Sequence, residues 1–192
     1  MAPAPPPASL AAQRQDCPLC ESTAALPAAS VPGGPVAAAP AVAAAALAGA
    51  MAADGVIWRD DFLRVVVAGD PDIPALVRVI CNAHVREMSD LAIAERSRLM
   101  RTVLVVEDAL RAALAPDKIN LASLGNLVPH LHWHVIPRFV RDAHFPQPIW
   151  GTRRREADAD LLARQRAALP VLYESIARKL DAMRTGAAPG AA

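Results

Sequence analysis

"VPHLHWHVIPR", residues 128–138, holds His130, His132 and His134, three of the five histidines in the chain, at every second position. Leu131, Trp133 and Val135 alternate with them. Successive side chains of a β-strand point to opposite faces. A strand over 131–136, stopped by Pro137, turns Leu131, Trp133 and Val135 toward a core and the three imidazoles to the other side. Same-face neighbours then lie roughly 6.5–7 Å apart. That spacing suits a row of groups serving one extended ligand, such as a phosphate chain. It also lets neighbouring imidazoles share a metal where the strand twists. A lone histidine on a strand is ordinarily a polar surface residue. Three in strict alternation, opposite a wholly apolar face, point to chemistry.

Working outward, "FLRVVVA" (62–68) and "ALVRVIC" (75–81) are β-branched and strand-like, and the turn 69–72, Gly-Asp-Pro-Asp, separates them. The period then changes. Leu99, Val103, Val106, Leu110 and Leu114 recur at steps of three and four, which predicts an amphipathic helix. Ser89 or Asp90 is suited to cap its start, and Pro116 with Asp117 to end it. "INLASL" (119–124) is a third strand, and the histidine segment is the fourth. Residues 157–184 carry Leu161, Leu162, Leu169, Leu172, Ile176 and Leu180 and predict a C-terminal helix, with a weak point at Pro170. The order β-β-α-β-β, with additions at both ends, implies an α+β fold: an antiparallel sheet with one long central helix and a C-terminal helix.

The expected organisation is a disordered tail over 1–14 and a domain over 15–150. A helical extension over 151–184 and a tail over 185–192 follow. Inside the domain, 22–54 is an Ala/Pro-rich low-complexity insert that buries too little surface to offset its ordering entropy. Residues 41–48 within it could still form a turn or two of helix, since alanine favours it. The apolar run 36–53 is nearly all alanine, with Pro40 and Gly49 inside, and lacks the Leu, Ile and Phe of a membrane span. No basic n-region with an apolar run opens the chain, so no secretory signal is expected. A cytoplasmic protein is the resulting expectation. With 20 basic against 19 acidic residues, the net charge of +1 gives no general pull toward nucleic acid or acidic lipid. Three cysteines do not make a disulfide framework. Cys17-Pro-Leu-Cys20 is instead a pair for metal ligation or redox chemistry. Cys81 reads as a strand residue, His144 as a surface histidine, and the run 152–156, Thr-Arg-Arg-Arg-Glu, as a solvated face. Trp150 is placed near the site or across a dimer interface.

"HLHWHVI" (130–136) matches at every position the signature His-φ-His-φ-His-φ-φ, with φ apolar, and so resembles the histidine-triad (HIT) family. Pro137-Arg138, the segment 125–129 and "VICNAHVREMSDL" (79–91) extend the likeness, and "WRDDFLRVVVAGD" (58–70) resembles the family's first hairpin. The resemblance covers about 56–150 together with the cysteine pair. It implies a homodimer and nucleotide chemistry at phosphorus: hydrolysis or transfer at the α-phosphate of nucleoside phosphoramidates or dinucleoside polyphosphates. By motif position it makes His132 the nucleophile. The chemistry is sound, because a neutral imidazole, of ordinary pKa about 6.5, attacks phosphorus at neutral pH and forms a labile phosphorylated ring. His134 would then stand beside the phosphoryl oxygens or the leaving group. Asn126 is a candidate for the non-bridging oxygens, Asp70 for the ribose hydroxyls, and Asn120 is a further substrate-binding candidate.

Zinc-carrying members of the family resemble this chain at four positions, Cys17, Cys20, His84 and His130. Two thiolates and two imidazoles make a closed structural zinc site. The chain departs from the common pattern at Cys81-Asn82, where Pro-Lys is usual, and at Ala75-Leu76, where Gly-His is usual. It also has no hydroxyl among Leu127, Val128 and Pro129. Two rival functions remain open on sequence: a non-catalytic nucleotide-binding module, and a metal-dependent hydrolase that uses all three triad histidines as zinc ligands.

Overall fold

Alternation within the strands sorts the two faces of the sheet, and with them the core and the site. The computed structural model describes residues 17–21 and 55–186. The expected tail 1–14, the insert 22–54 with its helical turn at 41–48, and residues 187–192 of the expected C-terminal tail lie outside the described residues. The elements are α1 (Pro18–Glu21), β1 (Val56–Arg59), β2 (Leu63–Val67), β3 (Val77–Cys81), a 3-10 turn (Met88–Asp90), α2 (Ile93–Leu114), β4 (Lys118–Ala122), β5 (His132–Arg138) and α3 (Ala159–Thr185). The strands form one antiparallel sheet in the order β1-β2-β3-β5-β4.

One face packs against the two long helices. Leu63, Val65, Val77, Val79, Cys81, Ile119, Leu131 and Val135 meet Leu99, Val103, Val106 and Leu110 of α2 and Leu169, Leu172, Tyr173, Ile176 and Leu180 of α3. Both helices bury residues at steps of three and four, the period that keeps one stripe on the sheet. The expectation for Leu131, Trp133 and Val135 holds, since Leu131 and Val135 are buried in this core and half-buried Trp133 packs against it. The other face carries Val66 and Ile80 beneath Cys17 and Leu19 of the N-terminal segment. Farther along it, Leu76 and Ile136 lie beneath Ile149. The two histidines of β5 lie between these clusters.

Several expectations are corrected. A further edge strand, β1, precedes the four expected; its four residues are too short for a period to show. Neither Ser89 nor Asp90 caps α2. They lie in the 3-10 turn, where the Asp90 carboxylate accepts from the Glu87 N–H, and α2 starts after Ala92, whose N–H donates to Glu95. Pro137 does not stop the fourth strand. β5 continues to Arg138, with Pro137 paired to Ile119 of β4. The β3 ladder has already ended at Val77–Val135, so a residue without an N–H is tolerated there. Helix α3 runs through Pro170, because Leu169, Leu172 and Tyr173 on either side of it are buried in the core. Pro116 does follow the end of α2, which closes at Ala115 in the left-handed region (φ 46°).

Candidate active site and metal cluster

The register of β3 and β5 sets His134 opposite Arg78 and His132 opposite Ile80. Both imidazoles are buried, their ring centroids 4.9 Å apart at 69°. His132 Nδ1 lies 2.6 Å from the His130 carbonyl. A carbonyl only accepts, so Nδ1 carries the proton and donates it, and the lone pair is fixed on Nε2. His134 is held the same way, its Nδ1 3.3 Å from the Ala122 carbonyl on β4. Burial pushes the His134 pKa down to about 4, helped by His132 and by the charge of Arg78. Burial also lowers that of His132, against the hydrogen bond to His130 and with Arg78. The site face therefore holds two neutral, oriented imidazoles within the field of Arg78.

His130 stands just before the strand, its ring directed to the cysteine segment that covers the same side of the sheet. Its N–H donates to the Val128 carbonyl at 2.8 Å, and β5 begins only at His132. The ring is fully buried. Its Nε2 donates to the Cys81 carbonyl at 2.7 Å, which leaves the Nδ1 lone pair free to ligate. That Nδ1 lies 3.5 Å from Cys17 Sγ and 3.4 Å from Cys20 Sγ, and His84 Nδ1 lies 3.2 Å from Cys20 Sγ. The ligand atoms of Cys17, Cys20, His84 and His130 all fall within 4.8 Å of one another. A tetrahedron with Zn–S and Zn–N bonds of about 2.3 and 2.0 Å needs edges of roughly 3.3–3.8 Å, so the donor set fits a metal of that kind. Among the described residues it is the one group of this kind, and neither His132 nor His134 belongs to it. Cys81 also lies outside it. Burial pushes that thiol up to about 11, and it behaves as the expected strand residue. Arg64 fastens the cysteine segment to the sheet: its guanidinium donates to the Leu19 carbonyl, to the Cys81 carbonyl at 3.3 Å and to Asn82 Oδ1 at 3.1 Å.

The loop after β5 walls the site. Arg138 and Asp142 form a buried pair at 2.8 Å, and Asp142 also accepts from the backbone N–H groups of Phe139, His144 and Phe145. Arg138 donates further to Asn120 Oδ1 and to the Gln147 carbonyl, both at 2.8 Å. His144 is not a surface residue. It is 8 % exposed, with Nε2 3.3 Å from Asp72 and Nδ1 3.2 Å from the Gly151 carbonyl. What buries it is the loop folding back onto the β2–β3 turn, a contact between distant segments. Trp150, half exposed, ends the loop with its ring 5.1 Å from that of His134. The basic run is indeed mostly solvated, with Arg153 reaching Asp72 at 3.2 Å.

The remaining candidates fall as follows. Asn126 is exposed in the loop between β4 and β5, next to Gly125, whose φ of 91° favours glycine. Asp70 closes the β2–β3 turn by accepting from the N–H groups of Asp72 and Ile73, each at 2.9 Å. Asn120 spends its side-chain oxygen on Arg138. The sequence reading missed Arg78 and Asp142. An arginine inside the apolar run "ALVRVIC" was the available signal for Arg78, but only the strand register puts it opposite His134.

Comparison with known proteins agrees with this geometry. The HIT domain family model matches residues 51–141. A histidine triad protein of known structure from Bradyrhizobium japonicum is 32 % identical, covers 63 % of this chain and 89 % of its own, and superposes with a TM-score of 0.52. A curated bis(5'-adenosyl)-triphosphatase of Saccharomyces cerevisiae (strain YJM789) is 26 % identical over 95 residues, 46 % of each chain. An AP-4-A phosphorylase of Mycobacterium tuberculosis (strain H37Rv) is 30 % identical over 104 residues, 51 % of this chain and 53 % of that one. The chain thus spans about half the length of the curated relatives it matches. With the triad at the start of β5, the five-stranded sheet behind it and a relative of this identity matched over most of its length, the chain belongs to the histidine-triad family.

Proposed function

We propose that the chain is a nucleotide hydrolase or nucleotidyltransferase that acts at the α-phosphate of nucleoside phosphoramidates or dinucleoside polyphosphates, through a covalent nucleotidyl-histidine on His132. One observation carries the reading: the hydrogen bond from His132 Nδ1 to the His130 carbonyl, which leaves Nε2 as a fixed lone pair on the site face. Nε2 attacks the α-phosphorus, a P–N bond forms, and the bond to the leaving group breaks with its electron pair going to the departing oxygen or nitrogen. His134 is the partner on the phosphate side. Burial favours its neutral ring, and an arriving phosphate favours its protonated, donating form. Water or a second acceptor then attacks the adduct, and the P–N bond breaks to restore the neutral ring. Asn126, Asp70 and Asn120 remain proposed substrate contacts. The substrates named in the matched yeast and mycobacterial relatives support the substrate class.

Cys17, Cys20, His84 and His130 would hold a zinc ion, on the donor set and spacing given above. A closed Cys₂His₂ site is structural: it supplies no reacting group and fixes the strand that presents His132. The same arrangement weighs against a hydrolase with the whole triad on one metal, since His130 is turned toward the cysteines. A homodimer in the cytoplasm completes the proposal, on the family likeness. Among the described residues no helix is long and apolar enough to cross a membrane.

The experiment is adduct trapping. Rapid acid-free quenching with a labelled dinucleoside polyphosphate or phosphoramidate is expected to leave an acid-labile nucleotidyl-protein in wild type and none in His132→Ala. Hydrolysis by His132→Ala is expected to fall by about 10³-fold or more. No adduct in wild type, together with undiminished hydrolysis by the variant, would reject the mechanism.

A further inference from the structure

Arg78 is the one charged side chain that β3 sends to the histidine face. Val77, Val79 and Cys81 face the helices, and Arg78 and Ile80 face the other way. Its Cα partner across the β3–β5 ladder is His134. Directly opposed residues of an antiparallel pair have Cβ atoms about 4.5–5.5 Å apart. Arg78 is half-buried, and its Nε is buried with no hydrogen-bond partner among the described residues. The other two buried or half-buried arginines of this face are spent. Arg64 donates to Leu19, Cys81 and Asn82, and Arg138 is paired with Asp142. The nearby acid is Asp70, whose field acts on Arg78, but one oxygen of that carboxylate is already engaged by two turn N–H groups.

Holding a guanidinium half out of water with its Nε unpartnered costs free energy, and an anionic ligand offsets that cost. A guanidinium binds phosphate oxygens through paired, charge-assisted hydrogen bonds. Its place beside His134, two residue pairs along from His132 on the same face, sets it off the attacked phosphorus and toward the departing group.

We propose that Arg78 binds the negative charge of the leaving group, and that the site therefore prefers dinucleoside polyphosphates, whose departing part is a nucleoside phosphate, to phosphoramidates that release a neutral amine. The inference rests on the nucleotidyl-transfer reading and deepens it. In the dinucleotide reaction the P–O bond breaks, its electron pair stays on the departing phosphate oxygen, and the anion leaves against Arg78. In the phosphoramidate reaction the P–N bond breaks, its electron pair stays on the nitrogen, protonated His134 gives that nitrogen a proton, and the neutral amine leaves no charge for Arg78 to hold.

The test compares wild type, Arg78→Met and Arg78→Lys on diadenosine triphosphate and on adenosine 5'-monophosphoramidate, with thermal unfolding as the check on folding. The ratio of kcat/KM, dinucleotide over phosphoramidate, is expected to fall about tenfold or more in Arg78→Met and to recover in part in Arg78→Lys. An equal loss on both substrates would place Arg78 on the α-phosphate and overturn the assignment; no loss on either would overturn it outright. If wild type turns over neither compound, the nucleotidyl-transfer reading fails, and Arg78 is judged by calorimetric binding of ADP and AMP. The preference for ADP is then expected to shrink about tenfold or more in Arg78→Met, and an unchanged preference overturns the proposal.

Discussion

Two carbonyl oxygens decide what the triad residues do. The His130 carbonyl takes the proton of His132 Nδ1, and the Cys81 carbonyl takes that of His130 Nε2. Each bond fixes a tautomer, which suits His132 to the proposed nucleophilic role and His130 to the proposed metal ligation. Asp142 has comparable leverage on the wall of the site. Its carboxylate is buried and accepts from Arg138 and from three backbone N–H groups. Asp142→Ala would strand the buried Arg138 guanidinium and release the loop that carries Trp150. It is expected to cost about 3 kcal/mol or more of stability, measured by urea unfolding; a loss below about 1 kcal/mol would contradict the role. Burial raises the Asp142 pKa, but the hydrogen bonds from Arg138 and the backbone outweigh it, so the folded value lies below the unfolded one. Its contribution is therefore present above the unfolded pKa, about 3.9, and lost as pH falls through the folded value.

At the scale of elements, the long helices show how local signals and packing share control. The start of α3 is set locally: the Asp158 side chain accepts from the Leu161 N–H at 2.9 Å. Asp158→Ala removes that cap and the ion pair to Arg141 and is expected to lower stability by about 1 kcal/mol. Thermal unfolding measures it, and an unchanged Tm would show that the helix start is held by packing alone. The passage of α3 through Pro170 is the converse case, where burial of Leu169, Leu172 and Tyr173 overrides a local breaker. The periodic stretches were therefore legible in the sequence, because burial on one face leaves a period of two or of 3.6. The short β1, the 3-10 turn and the passage of β5 through Pro137 were not. They depend on which strand lies alongside, and neighbours in the sheet are not neighbours in the chain.

For the whole molecule, the Cys/His cluster is the point at which distant segments meet. Cys17 and Cys20 come from the N-terminal segment, His84 from the loop after β3 and His130 from the approach to β5. If zinc occupies it, protein prepared without added metal is expected to carry about one zinc per chain, and Cys17→Ser to lose most of it. Removal by a chelator is expected to lower Tm, with the site strand loosened. Zinc-free protein of undiminished Tm would show that the four residues pack as a cluster without a metal. The experiment reads metal content and Tm, so it stands apart from any assay of turnover.

The sequence by itself determined the α+β class, the two faces of β5, the family and the two groups of histidine and cysteine candidates. Each rests on period or on spacing within a short segment, which survives without knowledge of the fold. Only the tertiary structure decided that His130 Nε2 is held by the Cys81 carbonyl, that His144 is buried on Asp72, and that Arg78 stands opposite His134. Strand register and loop closure make those contacts, between residues dozens of positions apart, and no local pattern encodes which partner a side chain will meet.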